Sequence, residues 1–502
     1  MTSEQHDRGA TGQPGMGPWL AAVLVFGSSA AVLVVELVAL RLLAPYFGLT
    51  LETSTLVIGL ALAAIAAGTW AGGRTADNIV PRRLLGPLLG ISGASIAVTP
   101  SLVRWAATGS PGLLLIAATL SILVPGALLS AVSPVVIKLR LTSLRETGTV
   151  VGHLSGVGTV GAIFGTVVTG FVLISRVPVS VIMVGLGALL VATSLLVQVT
   201  GRRGRGDLVL GAVVALGGLG ATVTPSGCDT ETTYHCLAVD TDPDRPTGRV
   251  LVLDGLRHSY VDVADPTHLD FEYVRAMASV IDVARPEGEP VDAYYLGAGG
   301  LTLPRYVAAT RAGSANRVSE IDAGVVEADR DLLGDEFPAR TDLRVEDGRL
   351  AIDDLDPSSL DLVVGDAFGG VSVPWHLTTR EAQEGLHAAL RDDGVHVTNV
   401  IDHGPLDFAR AYVRTASEVF GEVVLLADPA TLAGEDGGNL VVVASDTAVD
   451  LAGVMQANED RDLGWAALSG ADLEDWMADA PVLTDDYAPV DQLLTPYGSS
   501  AG

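Results

Sequence analysis

No CxxC, HExxH or P-loop lysine pattern occurs anywhere in the 502 residues. The mechanisms that rest on those spacings therefore have no footing here. Cysteine is nearly absent: Cys228 and Cys236 are the only two, too few for a cysteine-rich scaffold, and no metal site is readable. Positive charge is sparse as well. Of the 30 Lys+Arg and 59 Asp+Glu, residues 1–227 hold 13 and 7, which leaves 17 and 52, about −35 net, for the remainder. So acidic a surface repels phosphate backbones and argues against nucleic acid as a partner.

What is present is apolar length. Stretches at 19–40, 53–72, 84–103, 111–137, 150–174, 177–199 and 208–223 are each bounded by charge, Pro or Gly. A bilayer core about 30 Å thick needs about 20 such residues per helix, so the first half is expected to be an α-helical polytopic membrane domain of about seven spans. The seventh stretch is short, and a tilted span competes there with a re-entrant or interfacial segment. Arg74, Arg82 and Arg83 follow the second stretch, Lys138, Arg140 and Arg145 the fourth, and Arg202, Arg203 and Arg205 the sixth; the alternate loops hold Arg41, Arg104 and Arg176. The positive-inside rule then places the N-terminus in the cytoplasm, and a spanning seventh stretch places the tail outside the cell membrane. Cys228 and Cys236, just past the last stretch, form a short-loop disulfide if the tail is exported and two free thiols if it is not.

Polar groups inside the spans are few. Glu36 is open to a functional role or to pairing with Arg41, and His153 to an interfacial position. Gly152, Gly156, Gly161, Gly165 and Gly170 are spaced for close helix contact. No internal repeat is evident, which weakens a transporter reading.

The expected organisation is a disordered terminus at 1–18, a transmembrane domain at 19–227, a β-rich lead-in at 228–290 and a Rossmann-like α/β domain at 291–502. Residues 233–239 and 249–253 alternate as strands, and 271–283 has helical spacing. The strand 293–296 runs into Gly297-Ala298-Gly299-Gly300, and a helix follows at 304–310. About twenty residues on, Glu320-Ile321-Asp322 closes a second strand, the spacing that binds ribose hydroxyls beside a glycine turn. Strands at 342–345 and 360–364 end at Asp347-Gly348 and Gly365-Asp366, a helix covers 379–390, a turn 392–394, and strands 395–400 and 440–444 complete the pattern.

These segments, with Leu253-Asp254-Gly255-Leu256-Arg257-His258 and Phe271-Glu272-Tyr273, stand in the order found in spermidine synthases. The tail resembles that polyamine aminopropyltransferase family over about 230–425, and the whole chain resembles its membrane-fused members, whose ending is similar to Leu483-Thr484-Asp485-Asp486-Tyr487-Ala488-Pro489. The resemblance implies a spermidine-synthase or methyltransferase-type fold and decarboxylated S-adenosylmethionine, or a related adenosyl compound, as cosubstrate. It implies that Glu320 binds the ribose, that Asp347 contacts the adenine and that Asp366 accepts a proton from the attacking amine. Gly297, Gly299, Asp322 and Gly348 complete the cosubstrate site, and Tyr273 stands on the substrate side.

The sequence departs from the family where amines are gripped. Gly300 and Gly369 stand where the family has carboxylates, His258 where it has Gln, and Val274-Arg275 where it has His-Glu. A diammonium substrate needs two anionic ends to be held. The leading expectation is therefore a membrane-anchored transferase with an unassigned acceptor. One alternative is an outer-leaflet enzyme acting on a phospholipid headgroup, with His258, Arg275 and His376 orienting phosphate. The other is a transport or binding protein with an inactive tail. Expected partners are the bilayer and a small-molecule or lipid substrate, with homo-oligomerisation left open.

Overall fold

The computed structural model describes residues 16–47, 51–141, 146–174, 176–198, 228–334, 337–369 and 373–494. The seventh apolar stretch, Arg145, Arg202, Arg203 and Arg205 lie outside them. The chain divides into two compact units, Met1–Ser226 and Gly227–Gly502.

The described residues of the first unit form helices: α1 Pro18–Phe47, α2 Leu51–Asn78, α3 Arg82–Ala107, α4 Pro111–Ser130, α5 Val132–Arg140, α6 Thr147–Val168 with a π-helical end Thr169–Leu173, and α7 Val179–Gln198. Helix α1 already begins at Pro18, inside the terminus expected to be disordered. Among the described residues, six helical segments are long and apolar enough to cross a membrane: Pro18–Ala44, Thr53–Asn78, Arg82–Ala107, Pro111–Arg140, Thr147–Leu173 and Val179–Gln198. Ser110 accepts from Leu113 N and caps α4, with Pro111 at the first helical position, where its missing N–H costs nothing. The expected single stretch at 111–137 is interrupted at Ala131. Pro134 explains the break, since it has no N–H for the Ser130 carbonyl and its ring crowds the preceding turn.

Backbones touch where side chains vanish. A Cβ on Gly161 would lie 2.3 Å from the Phe26 carbonyl oxygen, and one on Gly165 2.5 Å from that of Ala30, so α6 lies directly against α1. Gly152, Gly156 and Gly170 have open space instead; the contact stripe is Gly158, Gly161 and Gly165 rather than the expected five. Gly93 and Gly187 meet reciprocally between α3 and α7.

The second unit opens with an antiparallel sheet of β1 Thr230–Glu231, β2 Cys236–Thr241, β3 Gly248–Leu253 and β4 Leu256–Asp262, in that order. A Cys228–Cys236 disulfide ties its first strand. The eight-stranded sheet that follows runs β12-β10-β11-β9-β8-β5-β6-β7, with β5 Asp292–Leu296, β6 Ala315–Glu320, β7 Thr341–Val345, β8 Leu360–Gly365, β9 Leu390–Asp402, β10 Glu422–Ala427, β11 Gly438–Ser445 and β12 Ala466–Ser469. Strands β7, β6, β5, β8 and β9 are parallel; β11, β10 and β12 pair antiparallel beyond them.

The connecting helices cover both faces. On one, α8 Glu272–Ala284, α9 Thr302–Thr310, α10 Ala323–Leu333 and α14 Leu451–Asp460 bury Met277, Ile281, Val326 and Val454 against Val318 and Val397. On the other, α11 Gly348–Ile352, α12 Arg380–Ala389, α13 Asp407–Ser417 and α15 Gly470–Met477 bury Ile352, Leu386, Phe408 and Met477 against Val363 and Leu425. This is the doubly wound arrangement expected of alternating strands and helices. The expected turn at 392–394 is a correction: those residues belong to one long β9, where the register shifts between Leu360–Leu390 and Leu362–Val395 pairs. A bulge absorbs the extra residues that Asp-Asp-Gly would otherwise have turned on.

Candidate functional site

The strand order reverses between β5 and β8, since β6 and β7 extend from one side of β5 and β8 and β9 from the other. Such a switch point leaves a crevice at the carboxyl ends of the strands. Glu320 pairs with Val345 in register, and Leu296 with both Ser319 and Gly365, so Gly297, Glu320, Asp347 and Asp366 stand along one edge.

Gly297 brings the first two of these ends together. At φ +98° it is in the left-handed region, and a Cβ there would lie 2.4 Å from the Asp366 carbonyl oxygen, so no other residue fits. Gly297 N donates to Ser319 O and Asp366 N to Leu296 O, both at 2.9 Å. Gly299 begins a single 3-10 turn that leads into α9. Gly300, at φ +71°, has Ser259 Oγ 2.6 Å from where its Cβ would be. Ser259 of β4 therefore fills the space where the resembled family carries a carboxylate.

Glu320 closes β6 beside the glycine turn. Its Oε2 accepts from Ala298 N at 3.0 Å and its Oε1 from Asp322 N at 2.9 Å, so the carboxylate is fixed across the glycine turn with lone pairs left for hydroxyl donors. Burial raises its pKa despite those two bonds, which lower it. Asp322 is a correction. It is fully buried, with Oδ1 accepting from Gly324 N to cap α10 and Oδ2 taking the Thr232 hydroxyl of the lead-in, so it is placed as a helix cap. Asp347 caps α11 through Oδ1, accepting from Arg349 N at 2.8 Å, and His376 Nε2 stands 4.0 Å from the same oxygen, too far for a hydrogen bond. Gly348 packs closely, since a Cβ there would meet Leu296 Cδ2, the end of a leucine side chain, at 2.6 Å.

Asp366 sits at the centre of a hydrogen-bonded chain. Tyr273 OH donates to its Oδ2 at 3.1 Å, Asn399 Nδ2 to its Oδ1 at 2.9 Å, and Asn439 Nδ2 to Asn399 Oδ1 at 2.9 Å. Burial pushes the carboxyl up to about 6, against the two donors, which pull it down. Tyr273 is raised well above its ordinary range by burial and then by the neighbouring carboxylate, so it stays a donor. A carboxyl poised near neutrality with both oxygens oriented is suited to taking a proton.

Two further expectations are corrected. Arg275 lies two residues beyond Tyr273 on α8, about 200° around the helix, and its Nη1 donates to the Arg461 carbonyl at 2.7 Å; it fastens α8 to the end of α14. His258 is half-buried beside His235, ring centroids 6.3 Å apart, and burial, then the neighbouring His235, bring it down to about 4. A neutral ring has no charge to offer a phosphate. Asn399, Asn439 and Ser259 escaped the sequence reading; Thr398-Asn399, polar inside the apolar run of β9, was the available signal. Among the described residues no group of three or more His, Cys, Asp or Glu is placed to hold a metal.

No family model and no curated protein matches the chain. Among solved structures, a probable spermidine synthase from Corynebacterium glutamicum is similar at 27% identity, covering 53% of this chain and 98% of that one, with a TM-score of 0.48. The spermidine synthase from Thermotoga maritima is 19% identical over 52% of this chain and 81% of its own, TM-score 0.34. Human methyltransferase-like protein 13, in complex with SAH, is 16% identical over 44% and 96%, TM-score 0.30.

Proposed function

We propose that the tail unit is a transferase that takes an alkyl group from an adenosyl sulfonium donor, and that the helical unit anchors it in a membrane. The observation that carries this reading is Asp366, held by Tyr273 and Asn399 immediately beside the Gly297 turn. Glu320 takes the ribose hydroxyls and Asp347 lies next along the strand ends toward the base. The acceptor is an amine or hydroxyl: its proton passes to Asp366, its lone pair forms the new bond to the donor carbon, and the carbon–sulfur bond breaks to leave a neutral thioether. Asp366, now a carboxylic acid near its own pKa, returns the proton to water.

The acceptor is not a simple diamine. Ser259 blocks the position at Gly300, and Gly369 offers no second carboxylate, so a dication has no pair of anionic ends to lie between. The Cys228–Cys236 disulfide supports a tail outside the cytoplasm, because such a bond persists in oxidising compartments.

Turnover by the full-length protein, followed by mass spectrometry with adenosyl donors and a panel of amine and alcohol acceptors, tests the assignment. Asp366→Asn is expected to lower turnover by about 100-fold or more with the fold intact, because Asn still accepts one hydrogen bond but takes no proton. Turnover within a few-fold of the parent would assign Asp366 to loop structure alone.

A further inference from the structure

One buried carboxyl beside the glycine turn has no part in the transfer chemistry. Helix α10 turns Val325, Val326, Asp329 and Leu333 inward, the spacing of an apolar stripe with an acid set into it. Asp329 is fully buried, and an acid there costs stability unless its oxygens are met. One of them is: Oδ1 accepts from Gly300 N at 2.9 Å, while Oδ2 is buried without a hydrogen-bond partner among the described residues. Burial pushes the carboxyl well above its ordinary range; the Gly300 bond opposes the rise and the charge of Glu320 adds to it. Asp329 is therefore a neutral acid at neutral pH, with the proton on Oδ2 and Oδ1 kept as the acceptor.

The Gly300 bond falls on the most constrained part of the turn. Gly300 at φ +71° is followed by Leu301 at φ +51°, a left-handed conformation that a side-chain-bearing residue keeps only when its surroundings hold it there. Thr302 Oγ1, donating to Tyr260 O at 2.9 Å, ties the turn to β4, and Asp329 ties it to α10.

The N–H groups of the turn show what this bracing leaves over. Gly297 N donates to Ser319 O, Ala298 N to Glu320, Gly300 N to Asp329 and Leu301 N to Ala298 O. Gly299 N, between the two groups that carboxyls hold, has no acceptor among the described residues. Gly299 is half-buried, whereas Ala298 and Gly300 on either side are buried. A backbone N–H left unmet on a turn braced from both sides calls for an acceptor atom from a ligand.

We propose that Asp329 is a positioning residue for the donor: by fixing Gly300 it presents the Gly299 N–H to an acceptor atom of the adenosyl compound. Its role presupposes the donor site proposed above, and it reaches the donor only through the turn. Calorimetry of the full-length protein in nanodiscs with S-adenosylhomocysteine tests this whatever the acceptor substrate is. Asp329→Ala, which leaves Gly300 N unmet, is expected to weaken binding about tenfold or more. Asp329→Leu, which completes the apolar stripe and keeps the helix packed, should weaken it as much. Asp329→Asn, uncharged like the acid and still offering an oxygen, should bind within about threefold of the parent. Val326→Ala removes packing from the same face of α10, so it should lower thermal stability yet leave affinity within about threefold. In turnover, Asp329→Leu should raise the donor KM about tenfold with kcat little changed, the reverse of Asp366→Asn. Parent-like affinity in Asp329→Leu, an equal loss in Val326→Ala, or no rescue by Asn would overturn the proposal and leave the donor site standing. No binding of S-adenosylhomocysteine by the parent would overturn the donor site itself, and this role with it.

Discussion

Glycine serves opposite ends in the two units. In the helical unit Gly161, Gly165, Gly93 and Gly187 let whole backbones touch along a length of helix, so that van der Waals contact is made by the main chains themselves. In the tail Gly297 acts at a single point, drawing the end of β5 against that of β8 on an edge where carboxylates from three strands stand. The first use is distributed and tolerates partial loss. The second is local, and a methyl group in the wrong place moves a reacting atom.

That contrast can be broken experimentally, beginning where it is sharpest. Gly297→Ala should abolish turnover, by about 1000-fold or more, because the β carbon collides with the Asp366 backbone and the left-handed conformation becomes strained. Parallel measurement of thermal unfolding separates misplacement from collapse. Removing the disulfide by Cys228→Ala with Cys236→Ala should cost roughly 2–3 kcal/mol of tail stability by freeing a short loop in the unfolded chain. Denaturant titration of oxidised and reduced protein gives the value, and identical midpoints would contradict it.

Tyr273→Phe probes the electrostatics. The rate should rise with pH through about 6 in the parent as Asp366 loses its proton. Without the tyrosine hydroxyl the carboxylate loses a donor, so the limb should move to higher pH and turnover at pH 6 fall about tenfold. The sign on stability is the reverse of the usual carboxylate case. The folded pKa of Asp366 lies above its ordinary 3.8, so its contribution is full below that value and is lost as pH rises through about 6. The smallest effect is expected in the helical unit, where Gly161→Ala should lower thermal stability by about 1–3 kcal/mol and leave tail turnover within about twofold. An equally large loss of turnover would erase the distinction between the two uses of glycine.

Much of the tail's order was legible because local and global signals agree there. Buried strands such as 293–296 and 360–364 are short apolar runs that end in Gly or Asp, and the structure extends each by only a residue. Asp366 and Glu320 stood out for the same reason. Asp322 misled because an acidic residue after a strand serves equally as a ribose ligand or a helix cap, and only the position of Thr232, ninety residues earlier, decides between them. Arg275 misled because residues adjacent in sequence lie on opposite helix faces. Asn399 and Asn439 were hidden by register: nothing local to either says that β11 lies between β9 and β10.

That same insertion of β11 has a consequence for biosynthesis. The carboxylate at 366 is oriented by Asn399, and Asn399 by a strand whose side chain at 439 arrives 73 residues after the aspartate. A chain emerging from the ribosome can complete the parallel strands β5 to β8, glycine turn included, and still lack both asparagines that hold Asp366. The hydrogen-bonded chain on Asp366 is therefore completed only with the return of β11, after the ends of the parallel strands are already in place.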